Sequence, residues 1–155
     1  MPRTLPTPGR SSLGRSTPGR STPGQQTQTR VLAALHGRTE PMGAYDILDA
    51  LRRPGERIAP PTVYRALARL VAEGRVHRVE SANAYLACQH DHAHEASESP
   101  VLAICDDCGT VREHTAPAAV ESLSASLADG FEPTRHVIEV HGRCAPCRDA
   151  SETSA

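Results

Sequence analysis

The 155 residues allow one ordinary domain or two small ones, and with one Phe, three Tyr and no Trp the interior must be built from Leu, Val, Ile and Ala. Such a thin core favours modules stapled by metal or by dimerisation. The formal charge of −1 hides an asymmetry: residues 1–80 hold 13 Arg and 6 acids, net +7, and residues 81–155 hold 4 Arg and 12 acids, net −8, so the first half suits a polyanion and the second suits metal cations or solvation. No apolar run approaches the roughly 18–20 residues of a bilayer span, and MPRTLPTPGR has no apolar signal core, so a cytoplasmic protein without a membrane partner is expected.

Pro, Gly, Ser, Thr and Arg dominate residues 1–26, with GRSTPGRSTPG repeating itself; a disordered tail is expected there. Helical periodicity begins at Thr27, where Val31, Leu32 and Leu35 share a side before His36-Gly37. AYDILDALRR predicts a second helix with Tyr45, Leu48 and Leu51 at three-residue steps and Ile47 beside them, stopped by Pro54-Gly55. A third helix starts at Pro60-Pro61, where a missing N–H costs nothing, and ends at Gly74. It buries Val63, Leu67, Leu70 and Val71 and leaves Thr62, Tyr64, Arg65 and Arg69 accessible. Two short strands, 76–80 and 83–88, follow around a tight Ser81-Ala82 connection. Three helices and a two-stranded ribbon are the plan of a winged helix, whose third helix enters the major groove. Arg57, Arg75 and Arg78 then stand where they can meet phosphates. A protein-binding module has the same pattern.

Residues 89–100 are polar and read as a hinge and metal-binding loop. Beyond them, 101–105 and 110–113 predict strands and 116–128 predicts a helix with Val120, Leu123 and Leu127 inward. A third strand over 135–141 leads to Cys144. The whole is an α+β protein: a winged helix over 27–88, a small zinc-stapled α/β dimerisation domain over 101–148, and a tail over 149–155. So short a helix cannot cover both faces of a three-stranded sheet, so a second subunit is expected on one of them.

Cys105-x2-Cys108 and Cys144-x2-Cys147 are separated by 35 residues. Four thiolates in two such knuckles close a tetrahedral zinc shell with no solvent position, which makes the site structural and not catalytic. An odd total of five cysteines in this spacing reads as metal binding in a reducing compartment. Cys88 and His77 lie on the two ribbon strands, with Glu113 beyond the first knuckle and His90, His92 and His94 on the loop. One Cys, two His and a carboxylate make a second tetrahedral set, and its thiolate suits zinc over ferrous iron or manganese. A hairpin His, a buried Cys and a surface His-rich loop are the plain alternative. No nucleophile–base pair or open metal position marks an enzyme.

The runs AYDILDALR, PPTVYRALARLVAEGRVHRVESANAYLAC, ICDDCGTVRE and RHVIEVHGRCAPC together resemble the ferric uptake regulator superfamily, most closely its zinc uptake regulator branch, over about residues 27–148. The resemblance implies a homodimeric zinc-responsive repressor of zinc uptake genes that binds palindromic operator DNA. It implies two zinc ions per protomer: a structural one on Cys105, Cys108, Cys144 and Cys147, and a regulatory one on His77, Cys88, Glu113 and a loop histidine, His94 first, then His92 or His90. It places DNA contact on the helix over 61–73, with Tyr64 and Arg65, and on Tyr45. In this chain the Pro/Gly/Ser tail replaces a further helix usual before Thr27. Glu98-Ser99-Pro100 stands where iron-type members carry a His pair, which points to the zinc branch. His114, His136 and His141 belong either to an additional site or to packing and surface. Asp49 and Arg52, three apart, form a local ion pair or bridge neighbouring dimers on DNA. The alternatives are an iron-, manganese- or peroxide-responsive repressor of the same architecture and a zinc adaptor that binds only protein.

Overall fold

The computed structural model describes residues 22–89, 100–116, 118–127, 130–131 and 136–152. The tail before residue 22 and the loop histidines His90, His92 and His94 lie outside them.

Helix α1 spans Pro23–Leu35. It begins four residues before the periodicity that starts at Thr27, because Thr22-Pro-Gly-Gln25 is a capping box. The Thr22 N–H donates to Gln25 Oε1 at 2.8 Å and the Gln25 N–H donates to Thr22 Oγ1 at 3.3 Å, with Pro23 in the first turn. Two-residue strand β1, Met42–Gly43, leads into α2, Ala44–Leu51. Helix α3, Pro60–Ala72, closes in a Schellman motif. The Arg75 N–H donates to the Leu70 carbonyl at 2.9 Å and the Gly74 N–H to that of Val71 at 3.1 Å. Gly74 has φ +67°, a conformation that costs glycine nothing. Arg30 of α1 reaches the Leu51 carbonyl and, at 2.5 Å, the Glu56 carboxylate, so α1 holds the segment that delivers α3.

The ribbon is β2, Val76–Val79, and β3, Ala84–Ala87, antiparallel with His77 opposite Leu86; β1 adds to the outside of β3. Side chains alternate across a strand, so the ribbon has two faces with different tasks. Val76 and Tyr85 join Val31, Leu35, Ile47, Leu48, Val63, Leu67 and Leu70 in the helical core. Val79 and Leu86 turn the other way and pack with Leu102, Val111 and Ile104 of the second sheet.

That sheet has the order β5-β4-β6: β4, Pro100–Cys105, lies between β5, Val111–Thr115, antiparallel to it, and β6, Ile138–Gly142, parallel to it. Helix α4, Ala118–Ser126, follows β5. Leu123 and Leu127 do not point inward as expected: they are exposed, as are Phe131, Val137 and Val140, and Val120 is half-buried. Among the described residues, nothing covers the exposed side chains. A helix the periodicity did not mark, α5, spans Ala145–Glu152 and takes up most of the expected 149–155 tail; Pro146 suits its first turn. No helix among the described residues is long and apolar enough to cross a membrane.

Candidate metal centres and nucleic-acid surface

Parallel pairing of β4 with β6 puts Cys105 beside Gly142, so both strands end at the same edge and both knuckles leave from it. The four sulfurs of Cys105, Cys108, Cys144 and Cys147 lie within 4.8 Å of one another. Cys108 Sγ and Cys144 Sγ are 3.8 Å apart, close to the separation of about 3.8 Å that tetrahedral Zn–S bonds of about 2.3 Å impose. Cys144 precedes α5 and Cys147 lies in its first turn. The Cys144 N–H, 3.3 Å from Cys105 Sγ, and the Cys108 N–H hold the Cys105 thiol down at about 6, while hydrogen bonds with the Cys144 and Cys108 sulfurs push Cys147 up to about 12. Four sulfurs this close crowd negative charge together, and a divalent cation between them offsets it. Arg143 clamps the knuckles, its Nε 2.5 Å from Asp107 Oδ2 and its Nη2 3.2 Å from the Cys147 carbonyl. The sequence reading missed this brace, although Arg143 and Asp107 each immediately precede a ligand cysteine.

The second group is divided between the two sheets. His77 comes from β2, Cys88 follows β3 with its N–H on the Arg75 carbonyl at 3.0 Å, and Glu113 comes from β5. Their ligand atoms lie within 4.8 Å of one another. The Cys88 thiol is 3.6 Å from Glu113 Oε1, and the Gln89 N–H donates to Glu113 Oε2 at 3.0 Å. His77 Nε2 is 3.0 Å from Glu113 Oε1, yet it is buried and makes no hydrogen bond to any described residue. The Glu113 side chain is only 5% exposed. An imidazole nitrogen, a thiol and a carboxylate converge here with little exposure, and a shared cation would use all three as ligands. These two groups are the metal-competent clusters among the described residues.

His141 bonds Asp106 instead, Nδ1 to Oδ1 at 2.9 Å. His114 and His136 are exposed.

The residues expected at DNA are exposed or half-buried on the helical half and its ribbon. Tyr45 and Tyr64 are 67% and 45% exposed, large values for aromatic rings. Arg57, Arg65 and Arg69 are exposed and Thr62 is half-buried. Thr62, Arg65 and Arg69 of α3 line a cleft with Gly24, Thr27 and Gln28 of α1. Arg65 Nε rests on the Pro61 carbonyl at 3.2 Å. Arg75 reaches Glu73 at 4.0 Å, while Arg78 lies against its own ribbon, 3.1 Å from Glu80 and 3.1 Å from Asn83 Oδ1. Asp49 and Arg52 pair at 2.6 Å, both exposed.

A model of the ferric uptake regulator family matches residues 20–141, a span that holds His77, Cys88, Glu113 and the first knuckle. The zinc uptake regulation protein of Escherichia coli (strain K12) is 44% identical over 108 residues, which cover 68% of this chain and 61% of that protein. The chain therefore matches less than two thirds of that relative's length. The zinc uptake regulation protein of Mycobacterium tuberculosis (strain ATCC 25618 / H37Rv) is 33% identical over 111 residues, 68% of this chain and 78% of that protein. Among solved structures, a zinc uptake regulator complexed with zinc and DNA superposes with TM-score 0.74 at 39% identity, covering 86% of each chain. The crystal structure of holo XcZur superposes with TM-score 0.70 at 40% identity, covering 83% of this chain and 86% of that one. With a winged helix, a four-cysteine cluster and a second ligand group between two sheets, the chain belongs to the ferric uptake regulator family.

Proposed function

We propose that this protein is a zinc-responsive transcriptional repressor that binds palindromic operator DNA as a homodimer and controls zinc uptake genes. The observation that carries the reading is the divided ligand group, in which His77 and Cys88 of the wing meet Glu113 of the other sheet around a buried imidazole nitrogen with no hydrogen bond to any described residue. Zinc held there ties the wing to the second sheet and fixes the angle at which each protomer presents α3. A dimer then offers two recognition helices at the spacing of successive major-groove faces. A coupling of about 1–3 kcal/mol, or 5–150-fold in affinity, is typical of such switches.

The fourth ligand in this reading is a histidine of the 90–94 loop, His94 before His92 before His90. Cys105, Cys108, Cys144 and Cys147 hold the structural zinc. Tyr45, Thr62, Tyr64, Arg65 and Arg69 face DNA, with Arg57, Arg75 and Arg78 on phosphates. The second subunit covers the apolar surface of Leu123, Leu127, Val137 and Val140, an exposure uncommon in a monomer. Asp49 and Arg52 bridge neighbouring dimers on DNA by exchanging partners, since an exposed local ion pair is worth little by itself.

The Cys88 thiolate favours zinc over an iron, manganese or peroxide sensor of the same architecture, and the exposed Tyr64 and Arg65 on a net-positive half argue against a protein-only adaptor. Operator binding titrated across buffered free zinc, with metal content per protomer, tests the reading. Two zinc ions per protomer and operator affinity that rises with the second are expected; affinity indifferent to zinc overturns it.

A further inference from the structure

The register of the second sheet places Glu113 of β5 and Glu139 of β6 on either side of Leu102 of β4, each as its paired residue. Paired residues share a face, so one cross-strand row presents carboxylate, leucine and carboxylate to the ribbon. Leu102 packs on Val79 and Leu86, and Glu113 meets His77 and Cys88 at the open end of the hairpin. Glu139 meets its closed end. The Glu80 N–H donates to Glu139 Oε1 at 2.5 Å and the Ser81 N–H to Oε2 at 3.1 Å.

The Glu139 side chain is only 11% exposed. Burial raises its carboxyl, but hydrogen bonds from Ser81 and the Glu80 N–H, with His141 nearby, outweigh that and hold it below the ordinary range. His141 Nε2 is 3.9 Å from the same carboxylate, with its Nδ1 on Asp106 beside the first knuckle. Strand β6 runs on into Cys144, so the four-cysteine cluster fixes the strand that carries Glu139.

We infer that Glu139 is a positioning residue for the divided metal centre: it fastens the closed end of the wing to the second sheet without metal, so that His77 and Cys88 are held near Glu113 before zinc arrives. The inference rests on the metal-coupled reading proposed above and names a part of that coupling. A hairpin pinned at one end and by Val79 and Leu86 in its middle has little further to travel at the other. Unpinned, it populates the zinc-competent arrangement less, and apparent affinity falls by that fraction.

The test uses the full-length protein with its four-cysteine site filled and measures binding of the second zinc by competition with a chelator of known affinity. Wild type, Glu139→Gln and Glu139→Ala are compared, with hydrogen exchange at the Glu80 and Ser81 amides followed in parallel. Glu139→Ala is expected to weaken the second zinc about tenfold and Glu139→Gln about threefold, leaving the first unchanged and speeding exchange at both amides. A purely structural role moves stability but not the second-zinc affinity. Should Glu139→Ala lose its first zinc, Glu139→Gln carries the comparison. Unchanged second-zinc affinity in the variants that keep the first overturns the inference. Wild type that takes up a single zinc sinks the metal-coupled reading instead; exchange at Glu80 and Ser81 then still decides the latch, and unaltered exchange overturns it.

Discussion

The two ligand groups contain similar donors on opposite plans. Cys105, Cys108, Cys144 and Cys147 all come from one sheet edge and the helix beside it, so a metal there joins parts of a single module. His77 and Cys88 come from the wing and Glu113 from the other sheet, so a metal there joins two bodies that each have their own contacts. Among the described residues, the helical body has a core of a dozen buried residues, while the cluster between ribbon and second sheet has four. The first group substitutes for a core; the second acts where apolar packing is already present and has only orientation to decide.

The largest effect separates the two. Cys144→Ser should cost about 5 kcal/mol or more, enough to unfold the small C-terminal module, and zinc content with thermal melting reads it. Full zinc content with an unchanged melting temperature would break the comparison. Next, Cys88→Ser should keep about one zinc per protomer and the dimer, yet lose the zinc-dependent 5–150-fold gain in operator affinity. A retained response would put Cys88 in the core and reopen the iron and manganese readings. Arg65→Ala should weaken operator binding by about 1–3 kcal/mol with metal content and dimerisation intact; an unchanged anisotropy titration removes α3 from the groove. The smallest effect lies far from both metals. Thr22→Ala deletes the α1 cap and should lower stability of the helical body by about 1 kcal/mol with both zinc ions still bound, measured by thermal melting alongside zinc content.

Local signals in the chain were readable where chemistry is local. A CxxC knuckle needs two residues of spacing, and α3 carries its own start in Pro60-Pro61 and its own stop in Gly74. The His77, Cys88 and Glu113 set was partly readable, because a hairpin brings its strands together wherever it packs, but which carboxylate joins them is decided by a different sheet. The start of α1 was hidden although its signal was present: Thr22-Pro-Gly-Gln25 repeats the Ser/Thr-Pro-Gly of the low-complexity tail, and only the following Gln makes it a cap. Leu123 and Leu127 show the opposite failure. Their helical spacing predicts burial, but spacing says only that a face is apolar, not which molecule covers it. Glu139 carried no signal at all, since a lone acid in a strand acquires its meaning from a turn 58 residues away.

The parallel pairing of β4 with β6 has a consequence for the unfolded chain. The two knuckles meet only after the intervening 35 residues have been folded back between them, and a tether between Cys108 and Cys144 removes the entropy of that loop from the denatured ensemble. By the relation used for disulfides, a loop of this size is worth about 4 kcal/mol. The metal therefore acts as a reversible cross-link that a chelator can cut, and after it is cut the module must recover a long-range pairing before it regains its ligands.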